Sequence, residues 1–143
     1  MGTQFTFDNN GVGAVILTMD NDVTANKDFN NADIDANRTA CECVGNNKVG
    51  MGTSGNKLFG KVVAVSEELD ASGIPVQVSV QVSGVARFLY VATTPVVGQE
   101  VEVDGAGKVK QATLEASYPA GGHSARGLVI AVDTTATTCD VLL

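Results

Sequence analysis

Between Pro75 and Val91 the chain reads PVQVSVQVSGVARFLYV, and from Val76 to Ser83 every second residue is a valine with Gln or Ser between. A period of two belongs to the β-strand, whose successive side chains leave opposite faces. The pattern predicts that Val76, Val78, Val80 and Val82 close a core. Gln77, Ser79, Gln81 and Ser83 then face water or a neighbouring subunit. Gly84 interrupts the alternation, and a second strand, VARFLYV, follows.

The rest of the chain carries the same signal in shorter pieces. LFGKVVAVS (58–66) is β-rich, with Gly60 inside it as a bulge or close-packing point. EVEVDGAGKVK (100–110) reads as a hairpin turning across Asp104–Gly107, with Val101, Val103 and Val109 inward. GLVIAVD (127–133) and TTCDVLL (137–143) are the last two strands. FGKVVAV followed by PVQVSV echoes RGLVIAV followed by TCDVLL, which suggests two like hairpins. Upstream, a strand near 13–19 precedes the polar excursion DNDVTANKDFNNADIDAN (20–37), which holds at most a helical turn. A strand over 39–44 and a glycine-rich break, GMGTSGN (50–56), complete this region. No long segment of period 3.6 competes. The expected fold is all-β, a small barrel or sandwich of about eight to nine short strands. Residues 1–56 are expected to form an N-terminal arm or embellished hairpin, and 57–143 the barrel.

Composition narrows the function. The 143 residues are 44% hydrophobic and 17% charged, as befits one globular domain, and the absence of Trp leaves the core to Val, Ile, Leu and Ala. Nucleic-acid binding rests on Lys and Arg neutralising phosphates, and a net charge of −7 argues against DNA or RNA as a partner. No segment approaches the ~20 apolar residues of a membrane helix. No basic amphipathic stretch suits an anionic membrane, and the run from Val12 to Leu17 is too short for a secretory signal. The opening MGTQFT fits the myristoylation pattern formally but lacks a polybasic neighbour. The expectation is a soluble, cytosol-made protein.

Chemistry finds few candidates. His123, in GGHSA, is the single histidine and has no acid beside it; Ser124 is not in a nucleophile elbow. Cys41, Cys43, Cys139 and His123 would make four zinc ligands, but Cys-x-Cys is not knuckle spacing, and buried thiols are the simpler reading. DIDAN (33–37) opens like a calcium loop, yet Arg38 stands where glycine is required and Val44 where the bidentate Glu belongs. A different calcium site using Asp20, Asp22 or Asp28 stays open. GAGK (105–108) lacks the Walker spacing and sits in a hairpin. No enzyme activity, cofactor or metal is expected.

The order of several motifs resembles a known family. LFGKVVA (58–64), VQVSGVA (80–86), PVVGQEVEVDGAGKV (95–109), RGLVIAV (126–132) and the terminal DVLL (140–143) are similar to the small capsid cement, or head decoration, proteins of tailed bacteriophages. The likeness covers about residues 57–143; the Asn/Asp-rich first third and the Arg87-Phe88-Leu89 segment depart from it. It implies a β-rich, non-enzymatic virion protein on the outer surface of the expanded capsid. There it bridges neighbouring major capsid proteins as a homotrimer and resists internal DNA pressure. Candidate contact residues are Phe5, Phe7 and Phe29 of the arm, as aromatic anchors, and Gln77, Ser79 and Gln81 of the ribbon, as a subunit contact. Another virion or surface β-module, such as a tail or adhesin domain, shares the composition; a small metal-dependent enzyme is the remaining alternative.

Overall fold

The computed structural model describes residues 9–113 and 125–143. Among these described residues, ten strands and one short helix follow in the order β1 (Val15–Asn21), α1 (Asn31–Asp35), β2 (Ala40–Gly45), β3 (Lys48–Gly50), β4 (Gly60–Val65), β5 (Gln77–Ser83), β6 (Val85–Leu89), β7 (Val101–Val103), β8 (Val109–Gln111), β9 (Leu128–Asp133) and β10 (Thr138–Leu142). The all-β expectation holds, with β3 as a strand that the glycine-rich sequence around it concealed. No helix among the described residues is long and apolar enough to cross a membrane.

Strands β1, β3, β2, β4 and β5 close into a barrel. The alternation of β5 does much of this work. Val78 and Val80 point inward and pack with Met19, Phe29, Cys41, Val49, Met51 and Val62. Burying each such aliphatic side chain contributes roughly 1.5–3 kcal/mol. Val76 lies just before β5 begins and is exposed, so the inward valine row starts at Val78. Gly60, at the start of β4, is required by closeness: a Cβ there would run into the carbonyl oxygen of Gln81 and stand 3.0 Å from Val80 Cγ1.

The ribbon breaks at Gly84, whose φ of +78° suits glycine and whose Cβ would strike the backbone of Val12 and Gly13. Past it, β6 leaves the barrel for a second sheet of order β6-β10-β9, while β7 and β8 form the expected hairpin. Val101, Val103 and Val109 are all inward, as expected. They join Phe88, Ala86, Val129, Cys139 and Val141 in a second core, to which Ala40 and Leu58 also contribute. The two echoing hairpins do form, as β4–β5 in the barrel and β9–β10 in the second sheet.

This topology corrects the expected division of the chain. A cut between 56 and 57 falls inside the closed barrel, since β2 pairs with β4 and β1 with β5. Strands β1, β2 and β3, all before residue 57, are barrel wall and not an arm. They were misread because they are short and separated by a long polar excursion, and their pairing partners lie far along the chain. The change of sheet comes at Gly84.

The polar excursion is tied down by local chemistry. Asn30 and Asp33 form a capping box, with the Asn30 side chain accepting from the Asp33 N–H at 3.0 Å and the Asp33 carboxylate accepting from the Asn30 N–H at 3.1 Å. Asp33 also pairs with Arg38 at 2.7 Å. The DIDAN run is therefore a capped helical turn. Asn21, 3% exposed, donates from Nδ2 to the carbonyls of Phe29 and Pro75 and accepts the Phe29 N–H at Oδ1. That clamp sets Phe29 into the barrel.

Candidate functional site

A cleft of about 390 Å³ opens between barrel strand β2, the segment leading into β4 and the start of β9, lined by Glu42, Cys43, Lys57, Leu58, Phe59 and Arg126. Most of its polar groups are already committed to the fold. The Glu42 carboxylate accepts the Thr53 N–H at 2.9 Å and Asn56 Nδ2 at 2.8 Å, holding the glycine-rich segment in place. Arg126 donates from Nη1 to the carbonyls of Leu58 and Phe59 and from Nη2 to that of Val82, at 2.9 Å. Partial burial pulls its guanidinium pKa below the ordinary value, with the Cys41 thiol opposing. Arg126 thus works as a bolt between the start of β9, β4 and the end of β5. Sequence reasoning did not single it out; an arginine directly ahead of a Gly-led apolar strand is the only mark it leaves.

The thiols do not converge. Cys41 and Cys139 are buried in different cores, whereas Cys43 is exposed, which corrects the expectation of buried thiols throughout. Cys43 lies near the end of β2, where the strand runs past the packed interior. Burial pushes the Cys41 thiol pKa far up, and burial with the neighbouring Asp140 carries that of Cys139 up to about 12. The expected result of adding a maleimide to the native protein is rapid labelling of one thiol, at Cys43. Labelling of all three should require denaturant. Fast native labelling at Cys139 would contradict this packing. Among the described residues, no group of three or more His, Cys, Asp or Glu side chains stands ready for a metal ion. His123 and Ser124 lie outside the described residues.

The expected contact residues scatter. Phe5 and Phe7 lie outside the described residues. Phe29 is 0% exposed at the centre of the barrel core, so it cannot serve as an anchor for a partner in the folded protein. Gln81 is 2% exposed. It lies on the outer side of β5, but β6 returns over that end, and its Nε2 donates to the carbonyls of Ser83 and Val85. Gln77 and Ser79 stay on the outer face, exposed and half-buried, opposite Asp20 and Thr18 of β1.

Two apolar surfaces escaped the sequence reading. In the second sheet, Leu128 and Leu142 sit directly opposite each other and are both exposed, as is Ile130 in β9. Beside them, the Gly98 N–H donates to the Val129 carbonyl and the Val129 N–H to that of Gln99, which brings exposed Val96 and Val97 next to β9. The other surface is the first half of β1, where Val15, Ile16 and Leu17 are exposed in succession. Compared with family models, curated proteins and solved structures, the chain matches none.

Proposed function

We propose that the protein is a non-enzymatic structural part of a virion that docks on the outer face of an assembled tailed-phage capsid and bridges neighbouring major capsid proteins. One observation carries the reading: the exposed apolar surface formed by Leu128, Ile130 and Leu142 of the second sheet together with Val96 and Val97 of the segment hydrogen-bonded beside β9. Scattered exposed aliphatics are ordinary, but a cluster gathered on and beside one sheet edge favours a protein contact. The net charge of −7 keeps such a surface soluble before it docks and suits a shell exterior, away from packaged DNA. The identity of the partner rests on the order of the sequence motifs.

The test is immunogold labelling of gradient-purified phage particles with antibody to this chain. Dense label over the heads is the expected outcome. Label confined to tails would keep a virion role and sink the capsid one, and unlabelled particles alongside protein in the lysate would overturn both.

A further inference from the structure

Strand β1 has one sealed edge and one open edge. Its pairing with β5 runs from Val15 to Asp20, while β3 meets it only at Asp20 and Asn21. The N–H of Asn21 donates to Val76 of the β5 side, and the N–H groups of Asp20 and Asp22 donate to Asn47 and Val49 of the β3 side. Alternation then turns the N–H and C=O groups of Ile16 and Thr18 toward the open edge, where no described strand pairs with them. The side chains there are apolar and uncovered: Val15 is 52%, Ile16 47% and Leu17 41% exposed. Leu17 lies opposite Val80, on the inner face, and is uncovered because β3 does not extend along β1 to its level.

Free strand edges are ordinarily blunted by charge, proline or a bulge that turns them away. From Val12 to Met19 there is no charged residue and no proline, in a chain with sixteen acidic side chains. The irregularity at Val15/Ile16 lies beyond the start of the Ile16–Thr18 edge.

We propose that this edge pairs with the same edge of a second copy, antiparallel across a two-fold axis at Leu17. The register is self-complementary. Ile16 meets the partner copy's Thr18, and Thr18 its Ile16, each pair exchanging both backbone hydrogen bonds. The two Leu17 side chains meet in the close, non-hydrogen-bonded position, where side-chain contact is strongest. Pairing ends at Asp20, whose N–H is already used by Asn47, so no acidic residue is brought opposite its own mate. Two acidic chains can thereby join along the one stretch where neither carries charge. The result is a continuous sheet, β4-β5-β1 of one copy running into β1-β5-β4 of the other. A two-fold pair differs from the homotrimer that the resemblance implies, and it stands or falls independently of capsid binding.

The experiment is light scattering on the full chain during size-exclusion chromatography at micromolar concentration. The expected mass is twice the 14.7 kDa of one chain. In the double variant Ile16→Lys/Thr18→Lys, cations oppose cations in both hydrogen-bonded pairs. It should dissociate to monomer, with the dimer Kd raised at least about tenfold and the circular-dichroism spectrum unchanged. Val97→Lys, a charge on the other apolar surface, should leave the dimer intact. If the double variant misfolds, Ile16→Lys alone carries the same expectation in weaker form. A monomeric wild-type chain, or a trimer that the double variant leaves intact, would overturn the proposal. So would a dimer that Val97→Lys disrupts while Ile16→Lys/Thr18→Lys does not.

Discussion

Phe29→Ala is expected to lower stability by about 3–5 kcal/mol, the cost of emptying a large buried aromatic site. Thermal melting should then come some 10–20 °C earlier for a domain of this size. Among the described residues Phe29 is one of the two largest fully buried side chains, with Phe88 holding the corresponding place in the second core. Among the described residues, the remaining buried members of the barrel cluster are aliphatic or sulfur-containing, and no second aromatic is fully buried there to take up the lost volume. Its backbone is fixed by the Asn21 clamp at 2.9 and 3.0 Å, which limits how far the excursion can collapse into the cavity. Phe29→Leu, which restores most of the volume, should recover more than half of the loss. Melts followed by circular dichroism decide the matter. An unchanged midpoint for Phe29→Ala would mean that the ring does not pack inside the barrel and would return it to the role of a surface anchor.

Arg126→Ala should be of similar size, about 3–5 kcal/mol, for a different reason. Hydrogen bonds to charged donors contribute ~1.5–3 kcal/mol each, and a buried carbonyl left without a partner costs ~1–3 kcal/mol. Arg126 serves three, on Leu58, Phe59 and Val82, and its main chain exchanges two further bonds with Val101 at 3.0 Å. Arg126→Lys keeps the charge but not the planar fork, and a single ammonium cannot span two strands in the same way. Urea titration should place it between wild type and alanine. If lysine restored full stability, charge alone would be the contribution, and the bolt across the cleft would be wrong.

The strands that were legible from sequence share a property: their signal lies within a few consecutive residues. The valines of β5 alternate, Val101, Val103 and Val109 flank a turn rich in Asp and Gly, and Gly-led aliphatic runs mark β4 and β9. Period and turn chemistry are local, so they survive without knowledge of the partner strands. Strand β3 escaped because three residues amid glycines carry no period. Gln81 and Phe29 were misplaced because burial depends on what covers a side chain. Gln81 is covered by the chain returning through Gly84, and Phe29 enters a barrel whose walls come from residues 15–83. Cys43 erred in the opposite sense, lying two residues beyond a buried cysteine where the strand outruns the packed interior.

Of the candidate surfaces, neither was visible as such. Leu128 and Leu142 look like core residues in any one-dimensional reading, and Val15 to Leu17 look like the middle of a buried strand. The sequence by itself determined that this chain builds sheets, that valine fills them, and where most strands turn, because alternation and turn residues act over a few bonds. Only the tertiary structure decided which strands close the barrel, that the change of sheet comes at Gly84, and which aliphatic residues remain in water. Those outcomes depend on pairing between segments up to dozens of residues apart, and β3 stops short of covering β1 for a reason that no local pattern in β1 records.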